Sequence, residues 1–223
     1  DPSDSNVRLQ LLDALADTGR VSEALDILTD ARYSDPGNPG YQRRLRTIAE
    51  MRLAVAQERV MELEDILVAN PSNREALREI ANHYLVLGRD EEAFETYAAL
   101  LSVEPGNDAL RADFAEALQS RGYYDQALLQ ADYLLDRQPD NTDFQRLFVL
   151  ASISQGDLDQ LGEAYVENLM GNAGQTDPEL LLVLAEYRLL RGDVETADNY
   201  VRAADALNDS RFATRISTVA QLV

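Results

Sequence analysis

Apolar residues recur at helical spacing along almost the whole chain, and the places where that pattern stops are themselves periodic. Leu77, Ile80, Ala81 and Tyr84 make a stripe at i, i+3, i+4 and i+7, which marks one face of an amphipathic helix. Gly88 interrupts it, a second stripe opens at Ala93, and Pro105 closes the segment. Residues 108–141 repeat the scheme with Ala115, Gly122, Ala127 and Pro139. Along the chain, Pro36, Pro71, Pro105 and Pro139 stand 35, 34 and 34 residues apart, while Gly19, Gly88, Gly122, Gly156 and Gly192 are separated by 69, 34, 34 and 36. Two kinds of helix breaker at one shared period indicate a tandem array rather than a single globular core.

The pattern predicts an all-α fold of six antiparallel helix pairs. The approximate units are 5–38, 39–73, 74–107, 108–141, 142–176 and 177–209, followed by a terminal helix over 210–223. Asp90, Asp125 and Asp193 follow turn glycines and are expected to cap the second helices. Asp177 before Pro178 reads as a further N-cap. The stretch from Gly171 to Pro178 has linker composition and is expected to be an irregularity or hinge.

These residues resemble the tetratricopeptide repeat (TPR) family. The match is carried by the small residue of the first helix (Ala81, Ala115, Ala185), the turn glycines, the Ala opening the second helix (Ala24, Ala93, Ala127, Ala197) and the closing prolines. It is strongest over residues 74–141. It weakens at 40–70, where Ala54 replaces the turn glycine, and at 142–176, which lacks the closing proline. The resemblance implies a right-handed superhelical solenoid whose first helices line a concave, ligand-holding groove, and a bacterial TPR-like repeat protein as its source.

Composition changes the picture in two ways. The formal charge is −20 at pH 7, and the 20 basic residues are all Arg, with no Lys. High-GC codon usage and adaptation to high salt both account for this; an acidic, lysine-poor surface stays hydrated in salt. The charge argues against general nucleic-acid binding, which draws most of its affinity from Lys and Arg on phosphates. No run reaches the length of a membrane span. With no Cys, disulfides are excluded and the compartment is not readable from redox usage: cytoplasm and periplasm both fit. Because the chain starts at Asp1 without an initiator Met, it is expected to be a processed or excised piece of a longer protein.

Candidate chemistry is sparse. His83 is the only histidine, and no residue is designated by sequence to orient it as a base. Calcium-loop spacing and phosphate-binding Gly-rich loops are absent. Asp90-Glu-Glu92 and Asp157-Leu-Asp159 read as caps and solvated faces. The expectation is a non-enzyme with neither metal nor cofactor.

What remains is the groove. By family position its lining includes Tyr41, Arg44, Ile48, Met51 and Arg52 in the second unit and Arg78 and Asn82 in the third. Glu116 comes from the fourth, Arg146, Leu150 and Ile153 from the fifth, and Leu182, Glu186, Leu189 and Leu190 from the sixth. A carboxylate clamp for an acidic C-terminal tail would use Arg78, Asn82 and Arg146, but a buried carboxylate at Glu116 repels such a ligand and Leu150 stands where a cation is expected. Residues 41–60 are net +3. Their arginines either receive an acidic partner segment or neutralise neighbouring units. Leu150, Ile153, Leu182, Leu189 and Leu190 are either an apolar floor for a helix or peptide or ordinary packing residues. Ile216, Val219 and Leu222, with Val223, form an uncharged end that predicts a weak, salt-favoured homodimer.

The functional expectation is a non-catalytic scaffold or adaptor that binds a protein or peptide partner in its groove. The alternative is a regulatory or substrate-recruiting arm of a larger enzyme, or of an envelope, secretion or polysaccharide-export complex.

Overall fold

The computed structural model describes residues 5–34, 37–156, 158–171, 178–207, 209 and 212–222. All regular structure among them is helical, in twelve helices. The chain divides into two compact units, Asp1–Thr96 and Tyr97–Val223.

The first unit holds α1 (Ser5–Asp17), α2 (Val21–Ser34), α3 (Pro39–Ala69) and α4 (Arg74–Val86), and α5 (Asp90–Val103) runs across the boundary. Here the structure departs from the predicted second pair. Residues 39–69 form one continuous helix of 31 residues instead of two. The cause is local: between Gly40 and Pro71 there is neither Gly nor Pro, and Ala54 stands where the turn glycine would be. Alanine is the strongest helix former, so nothing breaks the hydrogen-bond ladder. The two halves of α3 pack on different neighbours. Tyr41 and Ile48 join Leu12, Leu15 and Leu28 in a cluster with α1 and α2. Val60 and Leu63 pack with Ala76 and Ile80 of α4.

The second unit continues with α6 (Asp108–Ser120), α7 (Tyr124–Arg137), α8 (Thr142–Gln155), α9 (Gln160–Gly171), α10 (Pro178–Leu190), α11 (Val194–Ala206) and α12 (Ala213–Ala220). Each first helix contacts the second helix of its pair, and α6, α8, α10 and α12 also contact one another in succession. They therefore make one continuous row. Three linked apolar clusters run beneath it. Ala131, Leu134 and Leu147 form the first, Val149, Val166 and Leu184 the second, and Leu181, Val201 and Val219 the third. The small residues of the repeat sit at the helix crossings, with Ala115, Ala127, Ala131, Ala185 and Ala197 at most 2% exposed. A methyl side chain there lets two helix backbones approach closely.

The glycines perform the expected reversal. All five comb glycines have positive φ, from 71° to 97°. At Gly88 the amide donates to the Leu85 carbonyl at 3.1 Å, and that of Arg89 to the Tyr84 carbonyl at 2.9 Å. This is a C-terminal motif that needs a left-handed residue.

The caps are partly those expected. Asp193 caps α11 by accepting from the Thr196 amide at 3.2 Å. Asp90 and Asp125 instead lie inside the first turns of α5 and α7, where they meet the helix dipole without being the capping residue. Asn38, Asn73, Asn107 and Asn141 cap α3, α4, α6 and α8 through their side-chain oxygens. The Pro-x-Asn motif thus ends one unit and starts the next helix. Asp177, Asp157, Pro36, Val223 and the linker at 172–177 lie outside the described residues. Among the described residues no helix is long and apolar enough to cross a membrane.

Candidate partner-binding surface

The row α6, α8, α10 and α12 carries most of the groove residues predicted for the second unit. Glu116 projects from α6 and is exposed, not buried as expected. The surrounding protein nonetheless removes part of its hydration. That, with the nearby charges of Asp113 and Asp143, holds its pKa above the usual carboxylate value, and Arg146 opposes the shift. Tyr97 lies stacked on Phe114, with ring centroids 5.2 Å apart. Burial pushes its phenol up to about 12, assisted by Asp113 and Glu116.

The remaining charges of this row are partly paired. Arg146 on α8 donates to Glu179 on α10 at 3.0 Å. Arg215 on α12 holds both oxygens of Glu186 on α10, at 2.9 and 2.8 Å. The helices of the row carry six carboxylates (Asp108, Asp113, Glu116, Asp143, Glu179, Glu186) against four arginines (Arg111, Arg146, Arg188, Arg215). The surface is acidic.

The apolar floor is not present as expected. Leu150 and Leu182 are 6% and 0% exposed and belong to the cores beneath α8 and α10. Ile153 and Leu189 pack against the same cores, half-buried. Only Leu190 projects, at 89% exposure. The reason is helical phase: Leu181, Leu182, Leu184 and Ala185 surround α10, because it is covered on one side by α8 and α9 and on the other by α11 and α12.

The same holds for the predicted end patch. Ile216 and Val219 are 7% and 2% exposed and pack with Leu181, Leu182 and Val201. They turn inward to cover α10 and α11, so they do not form an external face. Leu222 alone of the three is exposed.

In the first unit, Tyr41 and Ile48 are core residues, at 0% and 1% exposure, and do not line a groove. Arg44 is bound to Asp13 of α1, with Nε to Oδ1 at 2.7 Å. Arg59 forks onto Glu79 of α4 and also reaches Glu62. That hydrogen bonding holds the Glu79 carboxyl below its ordinary range, against a smaller opposing effect of burial. Some arginines of residues 41–60 thus neutralise neighbours, whereas Arg43, Arg46 and Arg52 are exposed. Arg78 and Asn82 lie exposed on α4, and His83 sits 3.7 Å from Glu79. No group of three or more His, Cys, Asp or Glu among the described residues is placed to hold a metal ion.

Sequence reasoning missed Asp113 and Arg215. Asp113 was detectable, three residues before Glu116 on one helical face. Arg215 lies 29 residues from Glu186, and no local pattern joins them.

Residues 62–109 match the tetratricopeptide repeat family model. Solved structures of the same fold include MamA from Desulfovibrio magneticus RS-1. It is 16% identical with a TM-score of 0.60, over 73% of this chain and 92% of that one. A thermophilic TPR protein of Thermus thermophilus is 20% identical with a TM-score of 0.55, over 98% and 100% of the two chains. The APC/C hetero-tetramer Cut9-Hcn1 is 20% identical with a TM-score of 0.55, over 92% of this chain and 39% of that one. The fold is that of a TPR-like helical solenoid. A search of curated proteins returned no match.

Proposed function

We propose that the chain is a non-catalytic protein-interaction scaffold whose second unit receives a basic peptide or helix along α6, α8 and α10. The observation that carries this is the crowding at Glu116. Lost hydration first, and then Asp113 and Asp143, raise its pKa, and Arg146 opposes them. A Lys or Arg side chain placed there would gain a charge-assisted hydrogen bond and remove like-charge repulsion. The same field repels an acidic tail, so the carboxylate-clamp reading is disfavoured on this row. The fold supports a scaffold in general terms, since a solved neighbour, Cut9, occurs in a hetero-tetramer with Hcn1.

The test is fluorescence anisotropy with labelled basic and acidic peptides of equal length. The basic peptide should bind and weaken steeply with salt, and Glu116→Lys should reduce its affinity by at least about tenfold. Equal binding of both peptides, or no effect of Glu116→Lys, would overturn the proposal.

A further inference from the structure

The side of α8 turned away from the acidic row borders a cleft of its own. Phe148, Ser152 and Gln155 lie at i, i+4 and i+7 of α8, about half a turn of the helix from Asp143 and Arg146. With Leu128 and Asp132 of α7 and Asp159 just before α9, they line a cavity of about 270 Å³. Its walls divide by chemistry. Leu128 and the buried ring of Phe148 are apolar, and every polar side chain in the lining offers an acceptor. The Asp132 carboxylate accepts no hydrogen bond among the described residues. Lost hydration, then Asp136 and Asp159, hold its pKa above the usual carboxylate value, and no basic group opposes them. The phenol of Tyr165, edge-on to Phe148 with ring centroids 5.4 Å apart, is raised by lost hydration and then by Asp132, Asp136 and Asp159. Asp159 accepts from the Gly162 amide at 2.8 Å through Oδ1, which leaves its second oxygen. Gln155 turns its amide nitrogen to Asp125 and so keeps its oxygen as an acceptor. Ser152 is 5% exposed, and its Oγ has no hydrogen-bond partner among the described residues. A hydroxyl taken from water without a partner is costly, and this one borders the cleft.

We propose that this cleft is a binding site for a guanidinium group on an alkyl stem, the chemistry of an arginine side chain. A site built of acceptors selects a ligand built of donors, and a guanidinium presents its N–H groups in one plane with no acceptor among them. Its fork suits the two oxygens of Asp132. Asp159, Gln155 and Ser152 take the remaining donors, and the flat face and stem lie against Phe148 and Leu128. A lysine ammonium is a compact point charge that does not span this acceptor set. A metal ion does not match it either, since no group of three or more His, Cys, Asp or Glu among the described residues is placed to hold one. An arginine of a partner chain and a free alkylguanidine share the chemistry that the cleft recognises. The site lies across α8 from Glu116 and is independent of the basic-partner reading of the row.

NMR titration of the isotope-labelled full chain tests it, with two singly charged probes: a capped Ala-Arg-Ala peptide and n-propylguanidine. Saturable shifts are expected at the amides of Phe148, Ser152, Gln155 and Asp159. Peptides with citrulline or lysine in place of the arginine should bind at least about tenfold more weakly. Tighter binding of the peptide supports the site as a receptor for a partner's arginine, and tighter binding of propylguanidine supports it as a site for a free ligand. Asp132→Asn should weaken binding by at least about tenfold, and Ser152→Ala by about threefold. Circular dichroism and thermal unfolding confirm that both variants fold. Glu116→Lys, on the other side of α8, should leave the Kd within about twofold at physiological salt, which separates this site from the acidic row. Shifts spread over the acidic surface without saturation, equal affinity for the citrulline or lysine peptide, or a Kd unmoved by Asp132→Asn would overturn the proposal.

Discussion

Arg215 grips Glu186 through two parallel hydrogen bonds of 2.9 and 2.8 Å, fastening α12 to α10 beside the apolar contact of Ile216 and Val219. A residue expected to meet a partner is thereby engaged inside the chain. The pair also separates two contributions to the docking of α12. Both side chains are about a third or more exposed, so Arg215→Ala should cost under about 1 kcal/mol. Ile216→Ala removes a buried side chain and should cost about 2–4 kcal/mol. Hydrogen exchange should show the second loss concentrated in α12, and uniform exchange along α10–α12 would refute that locality.

Glu116 gives a stability prediction with a definite sign. Its folded pKa lies above the unfolded one, chiefly because the surrounding protein removes part of its hydration and then through Asp113. The charged form is therefore penalised in the fold at neutral pH, and the penalty fades as pH falls through the raised value. Glu116→Gln should raise stability at pH 7 by a few tenths, under about 1 kcal/mol after solvent screening. The gain should vanish on acidification. Urea titrations at pH 7 and at acid pH measure both limits, and a variant less stable at pH 7 would contradict the assignment.

The buried alanines set the spacing of the pairs. Ala127 is 2% exposed where α7 crosses its neighbours. Ala127→Leu adds three carbons at a contact with no room for them and should destabilise the chain by about 1–3 kcal/mol. An Ala→Leu change at exposed Ala109 is the control and should shift the melting temperature little.

Asn107 accepts from the Leu110 amide at 3.0 Å and starts α6. Asn107→Ala should cost about 1 kcal/mol, and Asn107→Asp should retain most of the cap. Equal loss in both variants would mean that the side-chain oxygen is not the operative group.

Much of this architecture was legible in the chain because repeat arrays are built from near neighbours. Gly88, Gly122 and Gly192 end one helix and Pro105 and Pro139 another, and each acts within a few residues of itself. The same locality explains the error at α3. Ala54 marks the missing turn glycine, but the period of the surrounding array predicts a turn there all the same. Burial was a different matter. Leu150, Leu182, Ile216 and Val219 are apolar at positions that fit either a groove or a core, and helical spacing gives a phase without saying which neighbours close over it. That choice was made by α9 and α10 packing on α8, and by α11 and α12 packing on α10. Charge behaved likewise: the composition established an acidic surface, but only the approach of Asp113, Asp143 and Arg146 to Glu116 singled out one carboxylate. Backbone reversals and helix phase are short-range properties written residue by residue. Burial, pairing and shifted protonation depend on groups tens of residues apart, and only the folded chain brings them together.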